Sequence, residues 1–309
     1  MDTAVDTPTR TFISVSEVWV PQDGKLVLGE GNYGLLDQFA EASRRESFAK
    51  AEGLPGKAWA DAKPIVLKSV DGSYFKRQDA AKEAGLTSGV AIPVFAGEEL
   101  KAVLVVLCSD DAERMGAIEV WAEKTGMMVL DDGYYGAAKH FEWVSQHTHF
   151  PRGQGLPGGV WAASTPMLFR DLGSGYRFVR ADSAGRAGLT TGLGLPVSVP
   201  GNEAIVLTLL SARGTPIARR FEIWDASSAT AGSPPKVILK DGICEKEGAL
   251  WDEEDPRTVF AWRGVIGRAL GSGLPVISES SVETAGYGSV VAVPIHQNGG
   301  VSHVVAWYC

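Results

Sequence analysis

Short apolar runs of strand length, separated by charged stretches of helical spacing, recur along this chain in one order. "FISVSEVWV" (residues 12–20) alternates well enough for a strand, and "GKLVLGEGNYG" continues as its hairpin partner. "LLDQFAEASRRESFA" has helical spacing and offers Leu35, Leu36 and Phe39 for burial. "GLPGKAW" breaks that helix and starts a short one, with proline favoured in the first turn. "PIVLKSV" predicts a strand, "YFKRQDAAKEAG" a helix, and "SGVAIPV" and "KAVLVVLC" two further strands. The continuous apolar character of that last pair implies a sheet covered on both faces. The unit is α+β, an antiparallel sheet of about six strands with flanking helices.

The pattern repeats. "EVW" at Glu17–Trp19 returns at Glu119–Trp121, and "EIW" follows at Glu222–Trp224. Gly31, Tyr33 and Gly34 match Gly133, Tyr135 and Gly136 in the same register, and "GLPGKAW" is answered by "GLPGGVW" (residues 155–161). A later anchor reads "GLTSGVAIPV", "GLTTGLGLPV" and "GYGSVVAVPI", and Cys108, Ser211 and Cys309 each follow its proline at one fixed distance. A period of about 100 residues exceeds the ~20–50 of solenoid repeats, so these are whole domains in tandem. Their expected bounds are 11–110, 114–213 and 217–309. The short linkers predict units packed into one body.

Composition narrows the function. The 309 residues are 45% hydrophobic with a net charge of -8, the profile of a folded protein and a poor one for nucleic acid, which needs clustered cations. No run reaches the ~20 apolar residues of a membrane span. The polar start "MDTAVDTPTRTF" lacks a signal-peptide layout. Three cysteines far apart give no disulfide framework and suit the cytoplasm or another reducing compartment.

"FPRGQGLPGGVWAASTPMLFRDL" with "AGRAGLTTGLGLPVSV" closely resembles the GAF domain, a small-molecule sensing and dimerisation module of signalling proteins. "FAKAEGLPGKAWADAKPIVLKSV" with "AAKEAGLTSGVAIPV" is similar, and "WRGVIGRALGSGLPVIS" with "GYGSVVAVPI" is a weaker relative. The resemblance implies three tandem GAF-like domains, with the glycine-proline phrase shaping the turn into a helix at the pocket edge. That role is architectural. Unlike the family's signalling chains, this sequence is expected to lack long terminal helices and an output domain.

In the family, ligand lies on one sheet face under the segment that follows the "PIVL" strand. That placement makes Lys68, Phe75 and Arg77, and in the second unit Arg170, Phe178 and Arg180, candidate ligand-binding residues, with Trp59, Trp161 and Tyr74 as wall or core. An aromatic wall with a guanidinium fork suits an anionic or planar ligand. The competing reading is an amphipathic helix on which Arg77 with Asp79 and Arg180 with Asp182 pair at the surface. The third unit shortens this segment, from Pro275 to Gly286 only, which points to a structural or partner-facing role.

Other chemistry is thin. Cys108 and Cys309 end apolar strands and read as inert buried thiols. His147 and His149 lack further ligands at metal spacing. "GSG" at 173–175 and 271–273 has no phosphate-loop continuation. No catalytic residue and no cofactor is expected, although an unidentified small molecule fits the resemblance. The expected function is non-enzymatic small-molecule sensing that reports to other proteins. The alternative is an interaction scaffold in a larger assembly, with vestigial pockets and exposed aromatics such as Trp143 or Trp262 facing a partner.

Overall fold

The computed structural model describes residues 11–309 apart from 110–112, 175–177, 202, 227–233, 253 and 281. The polar lead-in and the expected end of the first unit at residue 110 therefore fall outside the described residues. The first unit comprises β1 (Ile13–Gln22), β2 (Lys25–Asn32), α1 (Asp37–Arg44), β3 (Ser47–Ala49), α2 (Gly53–Asp61), β4 (Ile65–Leu67), α3 (Gln78–Glu83), β5 (Leu86–Ala96) and β6 (Glu99–Ser109). Its antiparallel sheet runs β3-β2-β1-β6-β5-β4.

The second unit follows the same path through β7 (Met115–Lys124), β8 (Met127–Gly136), α4 (Lys139–Gln146), β9 (Phe150–Pro151), α5 (Gly155–Ala163), β10 (Met167–Arg170), α6 (Ala181–Arg186), β11 (Leu189–Val197) and β12 (Ile205–Ala212). Its sheet order, β10-β11-β12-β7-β8-β9, is that of the first sheet read from the other edge. The third has β13 (Arg220–Asp225), β14 (Lys236–Cys244), β15 (Gly248–Ala249), β16 (Thr258–Phe260), α7 (Gly264–Ser272), β17 (Val276–Ser278), β18 (Val290–Gln297) and β19 (Gly300–Tyr308). The order β15-β14-β13-β19-β18-β17 repeats the plan, with β16 also on β14. Among the described residues this unit has no counterpart of α1 or α3.

The twice-written phrase that opens α2 and α5 has a backbone cause. Gly53, Gly155 and Gly264 take φ of +59, +61 and +58°, which glycine adopts without strain. Three residues on, a Cβ on Gly56, Gly158 or Gly267 would sit 2.2 Å from the carbonyl oxygen of Ala49, Pro151 or Phe260. Both glycines persist in the third unit, where Val265-Ile266 replaces Leu-Pro. The glycines are thus the requirement and the proline an aid to helix entry. Within α1, Phe39 is buried as expected, but Leu35 is 94% exposed, because the helix begins only at Asp37 and leaves Leu35 on the preceding turn.

Strand periodicity divides the core in two. On β6, Ala102, Leu104, Val106 and Cys108 face a shared centre, while Val103, Val105 and Leu107 face the helices of their own unit. Likewise Ile205, Leu207 and Leu209 of β12 and Val305 and Trp307 of β19 enter that shared centre. All three sheets turn one face inward to a single apolar core and the other outward to their own helices.

The sheet edges close into a ring. Lys68, just past β4, pairs with Asp132 on β8 at 3.0 Å, and Lys63 with Asp131 at 3.1 Å. Arg170 at the end of β10 pairs with Asp241 and donates to the Gly242 carbonyl at 3.0 Å on β14. Glu30 on β2 accepts from the Ile277 amide on β17 and lies 3.9 Å from Arg268. Glu30, Asp132 and Asp241 occupy one equivalent place, opposite Val18, Val120 and Ile223 just before a register shift. Along the ring axis the anchor prolines Pro93, Pro196 and Pro294 meet around a void of about 30 Å³, room for roughly one water. Each proline lies beyond the pairing of its short edge strand, so its missing N–H breaks no ladder on that side.

Candidate functional site

The outward face of each sheet carries a buried carboxylate from the repeated Glu-x-Trp, whose two side chains share one face. Glu17 accepts from Trp19 Nε1 at 3.0 Å and Tyr33 Oη at 3.1 Å. Arg77 completes the set with two bonds, Nη2 to Oε2 at 2.9 Å, and Nη1 also reaches Ser43. The second unit copies this. Glu119 accepts from Trp121 Nε1 at 3.0 Å, Tyr135 Oη at 3.1 Å, Thr208 Oγ1 at 2.8 Å and both terminal nitrogens of Arg180, which also reaches Ser145.

Aromatic rings enclose each guanidinium. Arg77 lies 4.7 Å from the Phe39 ring centre and 5.1 Å from Phe75, with Trp19 and Phe48 completing the box. Arg180 lies 4.6 Å from Phe141 and 5.1 Å from Phe178, with Trp121 and Phe150 around it. Cation–π attraction is strongest for such desolvated cations. Burial pushes the Glu17 and Glu119 carboxyls up, but the arginine charge and the converging donors more than offset it, and both end below the usual carboxylate range. Burial and the adjacent carboxylate raise Tyr33 and Tyr135, which stay protonated as donors.

The third unit builds the same cluster from other positions. Glu222 accepts from Trp224 Nε1 at 3.0 Å, Tyr308 Oη at 2.9 Å and Arg220 Nε at 2.8 Å. Arg220 and Tyr308 are strand partners, standing where the earlier units pair Val15 with Leu107 and Ala117 with Leu210. Tyr33 comes from just past β2 and Tyr135 from the end of β8, whereas here the corresponding residue is Cys244, 3.1 Å from the Tyr287 hydroxyl.

The eight candidate ligand-binding residues are thereby redistributed. Phe75 with Arg77, and Phe178 with Arg180, do come together, but in the interior: the arginines are 4% and 3% exposed and committed to Glu17 and Glu119. Arg180 still borders an open groove between α4 and α6, and the arginines' ion pairs are with Glu17 and Glu119 rather than Asp79 and Asp182. Lys68 and Arg170 turn away to the neighbouring sheet, because each lies at an edge where that neighbour presents an aspartate. Trp59 and Trp161 are half-buried on α2 and α5 beneath Lys50 and Arg152, 5.9 and 5.5 Å from the ring centres. Tyr74 is 42% exposed under Lys57. The buried glutamates were missed, although a charge inside an apolar strand two residues from tryptophan, repeated three times, was the signal.

A cleft of about 590 Å³ separates the second and third sheets, with Arg170, Thr191, Arg213, Arg219 and Glu245 on its walls. Cys108 is buried with its thiol pushed up to about 12 by desolvation, and Cys309 to about 11. No group of acidic, histidine or cysteine side chains suited to a metal occurs among the described residues. His147 packs on Trp143 with ring centres 4.4 Å apart. Trp143 and Trp262 are 57% and 65% exposed. Among the described residues no helix is long and apolar enough to cross a membrane.

Comparison with known proteins places a family match on the first part of the chain. The GAF domain model matches residues 2–122. No curated protein matches the chain. Similar solved structures include a GAF domain of A. aeolicus nlh2 in an inactive state, at 20% identity and TM-score 0.27 over 32% of this chain and 59% of that one. Another is the GAF domain of a phosphoenolpyruvate-protein phosphotransferase from Coxiella burnetii, at 21% identity and TM-score 0.27 over 31% and 56%. A third, fRMsr of Staphylococcus aureus in its reduced form, gives 18% identity and TM-score 0.25 over 31% and 56%. The chain thus spans less than two thirds of each of these solved chains.

Proposed function

We propose that this chain, whose residues 2–122 match the model of the GAF domain, generally a sensing or regulatory module, is a non-enzymatic interaction protein whose domain pockets are filled by its own side chains. The observation that carries this reading is the buried Arg77–Glu17 pair and its counterpart Arg180–Glu119. A family pocket holds a ligand on the helix side of the sheet. On this reading an arginine clamped by a carboxylate and four aromatic rings takes the place of such a ligand. The protein then acts through its outer surface on other proteins, within a ring of three units sharing one core.

Small-molecule sensing is the second reading, and the cleft between the second and third sheets favours it. Its volume lies within the roughly 300–1,000 Å³ of ligand sites. Native mass spectrometry of the protein taken gently from its own cells separates the two readings. The interaction reading expects polypeptides bound to a chain free of small molecules. A small added mass that is lost on denaturation would overturn it in favour of sensing.

A further inference from the structure

The cleft between the second and third sheets stands where the junction of the first and second sheets fills itself. In the repeat register Arg219 and Glu245 correspond to Gly116 and Gly136. At those glycines a Cβ would lie 2.8 and 3.0 Å from the Phe12 ring, which packs into the first junction and is 1% exposed. In the second junction the two longer side chains pair with each other at 3.5 Å, and a cleft of about 590 Å³ stays open. Its floor continues the inward faces of the strands. Phe221 and Ile243 make it apolar, and Thr191 and Ser211 follow Leu193 and Leu209 by the two-residue period.

Two charges on its walls are uncommitted. Arg170 is held by Asp241, and Arg219 by Glu245. Arg213, just past β12, and Asp171, just past β10, line the same cleft, yet among the described residues neither side chain has an ion pair or a hydrogen bond. Strand β11 runs between β10 and β12, so the two backbones stand at least about 10 Å apart, two strand spacings.

We propose that this cleft binds a short apolar peptide with free termini, about two or three residues long. Arg213 takes its carboxylate, Asp171 its ammonium, and Phe221 with Ile243 its side chains. This deepens the sensing reading and rests on it. A guanidinium matches a carboxylate with two parallel bonds, and opposite charges at the two ends fix the direction in which the peptide lies. An extended chain spans about 3.3–3.6 Å per residue. Its separated termini therefore suit the pair better than a single amino acid, which carries both charges on one carbon.

Isothermal titration calorimetry on the full chain tests this, with the tripeptide Ala-Leu-Ala as probe. The peptide with free termini is expected to bind, and N-acetylation or C-amidation to weaken it about tenfold each, the loss of one charged hydrogen-bonded contact. Asp171→Asn should weaken the free peptide by a similar factor and leave the acetylated one unchanged; Arg213→Gln should do the same for the amidated one. Both positions are exposed, so near-UV circular dichroism should stay that of the wild type. No binding of the free peptide, equal binding of free and capped forms, or free leucine binding as tightly as the tripeptide would each overturn the proposal. If native mass spectrometry still finds a small added mass in that event, the sensing reading stands while the peptide assignment fails; if it finds none, both fail.

Discussion

The first two units and the third reach one buried cluster by different routes. In the first two, the arginine comes from the segment after the edge strand, as Arg77 and Arg180, and the tyrosine from the C-terminal end of the second strand or the residue just past it. The third has a shortened segment with no arginine in it. It takes its cation from Arg220 on the same strand as Glu222 and its hydroxyl from Tyr308 on the next strand. What stays fixed is the glutamate two residues before tryptophan. A carboxylate held in an apolar interior is tolerated only when paired and fully hydrogen-bonded. The comparison shows that the carboxylate sets the demand and that the fold meets it from whichever position can reach.

Replacing the third unit's cation should break the comparison most severely. Arg220→Leu strands Glu222 and is expected to cost about 3–5 kcal/mol in urea unfolding, the usual penalty for removing one partner of a buried pair. The pair Arg220→Val with Tyr308→Leu, which installs the first unit's residues, should be no better, since the third unit has no lid arginine to substitute. Next come the helix-entry glycines. Gly267→Ala forces a Cβ against the Phe260 carbonyl and should cost about 1–3 kcal/mol as overpacking. Pro157→Ile, copying the third unit, should cost less than that, measured by the same unfolding curves.

Acid sensitivity sharpens the same point. The folded Glu119 carboxyl is held below its unfolded value near 4.5. Its contribution is therefore complete above that value and is lost as pH falls through the lowered folded one. The urea midpoint should decline below about pH 4.5, and less steeply in a Glu119→Gln, Arg180→Met variant. The smallest effect is expected at the ring contacts. Lys68→Ala removes a partly exposed ion pair to Asp132 and should change stability by less than about 1 kcal/mol. A large loss there would mean that the sheets depend on their edges rather than on the shared core.

Much of the fold was legible because its signals are local. Alternation placed the strands, and "GLPG" with the anchor prolines marked the repeats. The site was not legible in the same way. Arg77 and Arg180 stood out as candidates, but their partners lie 60 and 61 residues away, and spacing alone does not show which sheet face a lid arginine reaches. The ion pairs of Lys68 and Arg170 were hidden for a similar reason, since their aspartates belong to the next unit. The third unit's cluster was hidden because Arg220 and Tyr308 break the repeat register that revealed everything else.

The central claim is that the unit's own arginine fills the pocket, and a double-mutant cycle on Glu119 and Arg180 tests it most directly. Arg180→Met should lower the unfolding free energy by about 3–5 kcal/mol, and adding Glu119→Gln should recover much of that loss, because the uncompensated charge is then gone. Wild-type stability in Arg180→Met alone would contradict the account and return this arginine to the role of a ligand-binding residue.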